Sequence, residues 1–171
     1  GSSACLLRAM GLPGKAEVWR PEYIVAPDEG TNVDVAWRSN GGDWTYCEVK
    51  LSEAEFGTAT DDKRHREKLE SIYRPVLSNY IPAELLEPRA FFANYQVLRN
   101  LWLAARDARA SVVFLLPRNN AALWGPLRAV TTVVSSDLAR RVHIVATEDV
   151  LSALASARTT PPRLAWFAEL L

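Results

Sequence analysis

The feature that most constrains this chain is a predicted β-hairpin over residues 31–51. On both sides of its centre, small or β-branched residues alternate with polar ones, and the centre contains Gly41 and Gly42. Adjacent glycines supply the positive φ angles that a tight hairpin turn needs. If the hairpin is symmetric about Gly41, the numbers of two facing residues add up to 82, which predicts that Asp34 lies opposite Glu48.

This pairing places two carboxylates across from one another, with a lysine beside them. Side chains on one face of a strand recur at every second residue, so Lys50 shares the face of Glu48. The opposite, apolar face is predicted to carry Val33, Val35, Cys47, Val49 and Leu51. Like charges that face each other destabilise a strand pair. The simplest explanation for Asp34 opposite Glu48 is a divalent cation bound between them.

Periodicity outside the hairpin predicts alternating helices and strands. Helices are predicted over residues 2–10, 61–74, 89–108, 148–157 and 164–171, with another that begins at Asn119 or Asn120, and strands over 17–26, 111–117 and 142–147. Pro21 favours an edge position for the first strand, and Pro75 should kink or stop the second helix. This order predicts one α/β domain over 1–171, with a mixed sheet flanked by helices and a helical insertion after the third strand.

The helix over 89–108 has the clearest periodicity of the chain. Its apolar stripe consists of Phe91, Tyr95, Leu98, Trp102 and Ala105. Spacings of four and three residues place these side chains on one face of a helix. The polar residues predicted to lie off this stripe are Gln96, Arg99, Asn100 and Arg106.

Composition limits the partners and the compartment. Lys and Arg together number 20, as do Asp and Glu, so a polyanion site has to be a local patch. The densest basic run, 63–68, is either a solvated helix face or a set of phosphate contacts. Cys5 and Cys47 form no disulfide or metal framework, which favours a reducing cytoplasm. With no leader and no apolar run of about 18 residues, we expect neither secretion nor a membrane span.

An acid on one strand and Glu-x-Lys on the next resemble the motif of the PD-(D/E)xK phosphodiesterases, the restriction-endonuclease-like superfamily with an αβββαβ core. Asp34 and Glu48-Val49-Lys50 match this motif. The stretches 47–56 and 94–100 are similar to a bacterial family of restriction-endonuclease-like proteins. The resemblance spans roughly residues 2–117 and departs from the motif at Val33, which stands in place of the proline.

The resemblance implies an activity and a set of site residues. Asp34, Glu48 and the Val49 carbonyl would bind Mg²⁺, for which Mn²⁺ would substitute. Lys50 would position or deprotonate the attacking water, and Gln96 would support the metal and the water. The expected function is Mg²⁺-dependent endonuclease cleavage of DNA, held through local basic patches, in bacterial restriction, defence or repair.

Other readings of these residues stay open at this stage. Asp34 and Glu48 are alternatively solvated residues on an exposed sheet face, with Lys50 as their neutralising neighbour. The whole chain is alternatively an inactive module that binds DNA or a protein partner, or a structural domain, and a homodimer is an open possibility. Further side chains with an undecided role are Glu53 and Glu55 as extra ligands, and Trp37, Trp44 and Tyr46 as core or as platforms for bases.

Overall fold

The computed structural model describes residues 2–156, and the chain in this range forms a five-stranded sheet covered by helices. The strands are β1 (Ala16–Ala26), β2 (Thr31–Ser39), β3 (Trp44–Val49), β4 (Ser111–Leu116) and β5 (Val142–Ala146). The α-helices are α1 (Ser2–Ala9), α2 (Lys63–Lys68), α3 (Arg74–Leu77), α4 (Pro88–Ala93), α5 (Tyr95–Ala105), α6 (Ala121–Thr131), α7 (Ser136–Ala139) and α8 (Thr147–Ser156). A π-helical segment, Leu69–Tyr73, joins α2 to α3, and a 3-10 turn, Ala83–Leu86, precedes α4.

The sheet is mixed, as the sequence predicted. Its strand order is β1-β2-β3-β4-β5, antiparallel from β1 to β3 and parallel from β3 to β5. β1 is an edge strand, which tolerates Pro21 because a proline cannot donate a ladder hydrogen bond. The two parallel connections are helical, and the first contains everything from α2 to α5. The predicted helical insertion after the third strand is therefore confirmed.

The register of the β2–β3 hairpin agrees with the prediction. Val35 pairs with Cys47 and Trp37 pairs with Thr45, and each pair of numbers adds up to 82. Of the two central glycines only Gly42 has a positive φ, 86°. One left-handed residue in the turn is therefore sufficient for this hairpin.

β3 loses both of its neighbours near its end. The β2–β3 ladder extends only to the pair of Val35 with Cys47. On the other side, the Lys50 N–H donates to the Leu115 carbonyl at 2.8 Å, but the next donor toward β3 would be residue 117, a proline. The strand therefore ends at Val49, two residues before the predicted end.

Two apolar clusters cover the two faces of the sheet. One cluster contains buried residues of α4, α5 and α6, and the other contains residues of α1 and α8. Cys47, Val35 and Val49 belong to the second cluster, as predicted. The assignment of Val33 to that face was wrong, because Val33 belongs to the first cluster, and Leu51 is exposed beyond the end of β3.

Two helix predictions in the insertion need correction. The helix over 89–108 is broken at Asn94, whose φ and ψ of −116° and 24° separate α4 from α5. Pro75 does not end the helical segment, which continues to Leu77. Since a proline lacks an N–H and crowds the carbonyl four residues back, the chain widens into the π-helical turn just before it.

The remaining helix predictions concern the start of α2 and the C-terminal residues. The predicted helix over 61–74 begins with α2, whose N-cap is Asp62, and the Asp62 side chain accepts a hydrogen bond from the His65 N–H. The helix predicted over 164–171 lies outside the described residues. Within residues 2–156, no helix has both the length and the apolar character that a membrane crossing requires.

Candidate active site

The residues of the predicted motif lie at the end of β3, on the face toward α5. Glu48 is 3% exposed and Lys50 is 8% exposed, while Asp34 on β2 is partly buried. The alternative of a solvated sheet face is therefore wrong for Glu48 and Lys50. Charged side chains are rarely buried without partners. The chemistry of Glu48 and Lys50 therefore depends on the groups that contact each of them.

Asp34 lies just beyond the last paired residues of β2 and β3, and its side chain bonds to the backbone of β3 there. Its Oδ2 accepts a hydrogen bond of 2.7 Å from the Val49 N–H. In an antiparallel pair, a residue directs its N–H and its carbonyl toward the same neighbouring strand. The extended backbone of β3 therefore predicts that the Val49 carbonyl faces the side of β3 on which Asp34 lies, which is where a third metal ligand would be needed.

Glu48 is surrounded by donors from its own chain. Three of them come from α5: Gln96 Nε2 donates to Oε1, Asn100 Nδ2 donates to Oε2 at 3.0 Å, and Arg99 Nη2 lies 3.4 Å from Oε2. The fourth is Lys50 Nζ, 3.4 Å from Oε1. The α5 residues are three and four positions apart, so one side of the helix presents all of them to the carboxylate.

The charge balance around Glu48 favours a cation. Burial and, next, the negative charge of Asp34 raise the pKa of the Glu48 carboxyl above its usual range. The hydrogen bond from Asn100 and the charges of Arg99 and Lys50 oppose this effect and only partly offset it. Charge of the opposite sign at this point would favour the ionised form of Glu48.

The available ligands suit a small, hard cation. Within residues 2–156, no group of three or more His, Cys, Asp and Glu side chains is arranged to hold a metal ion. The candidate set is instead two carboxylates, of Asp34 and Glu48, with the Val49 carbonyl. Mg²⁺ prefers oxygen ligands, keeps several waters and is commonly held by one or two carboxylates, so the residues present fit it.

Lys50 lies between the carboxylates of Glu48 and Glu53. Its Nζ lies 3.4 Å from Glu48 and 3.8 Å from Glu53, and 5.9 Å from the centre of the Phe56 ring. The Glu53 carboxylate accepts hydrogen bonds from the N–H groups of its own loop, and these lower its pKa. Glu53 therefore caps the loop and pairs with the lysine, while Glu55 is exposed.

Gln96 contacts the motif directly. Its amide nitrogen donates to Glu48, and its Oε1 accepts a 2.8 Å hydrogen bond from the Gly57 N–H. Gln96 thereby joins β3, the loop after β3 and α5. Asn100 and Arg99, which the sequence placed off the apolar stripe without a role, reach the same carboxylate.

A second buried carboxylate lies outside the motif and was not predicted. Glu29, in the turn between β1 and β2, is 2% exposed. Its Oε1 accepts hydrogen bonds from the hydroxyls of Tyr73 at 2.5 Å and Tyr95 at 3.0 Å, and Lys68 Nζ lies 3.4 Å away. These contacts join the turn to α2, to the π-helical segment and to α5.

The side chains proposed to contact nucleic acid are less available than the sequence suggested. In the basic run, carboxylates of the chain itself pair with Lys63, Arg66 and Lys68. Trp37 and Tyr46 are buried, so their use as platforms for bases was wrong. Trp44 is partly buried and stacks between Tyr23 and Tyr46.

Comparison with known proteins yields one family. A family model described as restriction endonuclease associating with ARP matches residues 4–170, well beyond the 2–117 of the sequence resemblance. No curated protein and no solved structure matches the chain.

Proposed function

Because this chain belongs to the family of restriction endonucleases associating with ARP, we propose that it is a Mg²⁺-dependent endonuclease that hydrolyses DNA phosphodiester bonds. The observation that carries the proposal is the arrangement at the end of β3, where Asp34 accepts the hydrogen bond of the Val49 N–H next to Glu48, its charge raises the pKa of the buried Glu48 carboxyl, and Lys50 is buried 3.4 Å from Glu48. In this proposal the two carboxylates provide ligands for the metal, and the lysine provides a cationic group for the phosphate or the water.

Each residue of the motif has a separate role in the proposed hydrolysis. Bound Mg²⁺ would polarise a phosphoryl oxygen and lower the pKa of its water. Asp34, Glu48 and the Val49 carbonyl would hold the cation. Lys50 either orients the attacking water as an ammonium group or, in its neutral form, accepts the proton of that water, and the ammonium form offsets charge that gathers on the phosphate. Water oxygen forms the new bond to phosphorus as the bond from phosphorus to the leaving sugar oxygen breaks, and the leaving oxygen takes up a proton from solvent water.

Gln96 has a supporting role in this arrangement. It is bonded at one end to Glu48 and at the other to the loop after β3. A side chain fixed at both ends holds the carboxylate and the loop at a constant separation. Such fixed geometry is what positioning of reacting groups requires.

The test is cleavage of plasmid and single-stranded DNA by purified Asp34→Ala, Glu48→Ala and Lys50→Ala with Mg²⁺ or Mn²⁺. We expect each substitution to abolish cleavage while the folded state is retained. Asp43→Asn, at the exposed end of the same hairpin, is the matched control and should cleave normally. Unchanged activity in the three site variants would refute the proposal.

A second candidate function is an inactive module that binds DNA or a protein partner. The contacts of Glu48 favour it, because four donors of the chain already satisfy this carboxylate. Thermal unfolding with Mn²⁺ separates the two. A metal-binding nuclease is stabilised by a ligand that binds only the folded state, and Glu48→Gln should remove this response. DNA binding in a gel shift, without a metal response or cleavage, would favour the inactive module.

A further inference from the structure

Asn100 occupies a position in α5 where an apolar residue would be expected. It is completely buried, as are its helical neighbours Leu98, Leu101 and Leu103. Its Oδ1 is buried without a hydrogen-bond partner among residues 2–156. Burial of a polar atom without a partner destabilises a fold, so the packing of α5 alone gives no reason for an asparagine here.

The other end of the Asn100 side chain has a defined partner. Its Nδ2 donates to Glu48 Oε2 at 3.0 Å, the shorter of the two contacts made to that oxygen. An ionised carboxylate only accepts hydrogen bonds, so it selects the amide nitrogen of Asn100 and leaves the amide oxygen pointing away. The unsatisfied Oδ1 is thus a consequence of presenting the nitrogen to Glu48.

We propose that Asn100 is a positioning residue that holds the Glu48 carboxylate in the orientation that binds the metal. The inference rests on the proposed function, since it concerns the same site. Asn100 acts through Glu48 and touches neither metal nor DNA. A group that donates a hydrogen bond to a metal-ligating side chain, without binding the metal itself, orients that side chain. Loss of such a group commonly weakens metal binding by about 10–100-fold.

The experiment is a calorimetric titration of the full chain with Mn²⁺ in the absence of DNA, together with metal-free thermal unfolding. Asn100→Leu keeps a similar volume and removes the donor. We expect its dissociation constant for Mn²⁺ to rise at least tenfold, while its metal-free Tm stays within a few degrees of the wild type. Asn100→Ala, which fits the site without crowding, should show the same loss of affinity if the leucine variant does not fold.

A matched control separates positioning from packing. Val97→Ala removes buried apolar volume from the same helix and takes no hydrogen-bond donor away from Glu48, because a valine side chain has none. It should lower the metal-free Tm and leave Mn²⁺ affinity unchanged. If the wild type binds Mn²⁺ and both Asn100 variants bind it equally well, the role of Asn100 is refuted. If the wild type itself binds no Mn²⁺, the proposed function fails first, and the inference fails with it.

Discussion

The repulsion between Asp34 and Glu48 gives the sharpest test of the site. Asp34→Asn removes one negative charge and keeps an oxygen that can accept the 2.7 Å hydrogen bond from the Val49 N–H. The substitution therefore changes electrostatics with little change in shape. We expect the metal-free protein to become more stable, because the buried Glu48 carboxylate loses a like-charged neighbour.

The size of the effect follows from the position of the two groups. Two unit charges at about 5 Å, the separation of directly opposed side chains on paired strands, repel by about 3 kcal/mol at an effective dielectric constant of about 20. This value is an upper bound for Asp34 and Glu48, because β2 and β3 no longer pair at Asp34. Asp34 is partly exposed, and Lys50 and Arg99 lie beside Glu48, which reduces the expected gain to about 1 kcal/mol. For a chain of this length, that is a rise in Tm of about 3 °C.

The gain should depend on pH in a defined direction. A carboxyl whose pKa is raised by folding binds more protons in the folded state than in the unfolded state. The contribution of Glu48 to wild-type stability therefore falls as the pH rises from the usual value of 4.5 through the raised pKa of Glu48. Asp34→Asn removes part of that rise in pKa. Its advantage should be small below pH 4.5 and largest above the pKa of Glu48 in the fold.

The assay is denaturant and thermal unfolding between pH 4 and 8 in the presence of a chelator, repeated with Mn²⁺ at pH 8. Without metal, the variant should be the more stable protein, and with saturating Mn²⁺ the wild type should gain more. Asp43→Asn controls for the loss of a charge on the hairpin. A variant that is less stable at pH 8 without metal, or a gain that does not change with pH, would refute the reasoning.

Three further predictions concern single side chains. Lys50→Met should reduce cleavage by roughly 10²–10⁴-fold in initial-rate assays yet retain the thermal response to Mn²⁺, because a lysine is not a metal ligand; loss of that response would contradict the assignment. Glu29→Ala should lower the free energy of unfolding by roughly 3 kcal/mol, since the buried Tyr73 hydroxyl, the Tyr95 hydroxyl and Lys68 lose their shared carboxylate, whereas the exposed neighbour substitution Asp28→Ala should have little effect in the same denaturant assay. Asp62→Ala should lower the denaturation midpoint through loss of the α2 N-cap, and an unchanged midpoint would show that the cap is dispensable.

The hairpin was predictable because its register is determined twice. The alternation of residue types requires one face to be apolar, and a shift by one residue would turn every side chain to the wrong face. The glycines at 41 and 42 determine the centre independently. Val33 was misassigned because strict alternation fails where β2 and β3 stop pairing, and no residue type marks that point in the sequence.

The helical insertion was harder to predict, for two physical reasons. The break between α4 and α5 occurs at Asn94, without a proline or glycine to mark it. The middle of α5 is buried on several sides, so one apolar stripe does not describe its surroundings. Asn100 was therefore treated as an off-stripe polar residue, although it is buried against Glu48. The sequence indicates the position of Asn100 through its spacing of four residues from Gln96, which places both side chains on one side of a helix, and through the leucines that flank it.

Pro117 affects where the side chains of Glu48 and Lys50 lie relative to the end of the sheet. Because residue 117 cannot donate to the Lys50 carbonyl, β3 separates from β4 after Lys50, shortly beyond Cys47, where its pairing with β2 ends. Pro117 therefore determines the residue after which β3 no longer pairs with β4. A residue with an N–H at position 117 could pair with the Lys50 carbonyl, and β3 would then leave the sheet later than it does here.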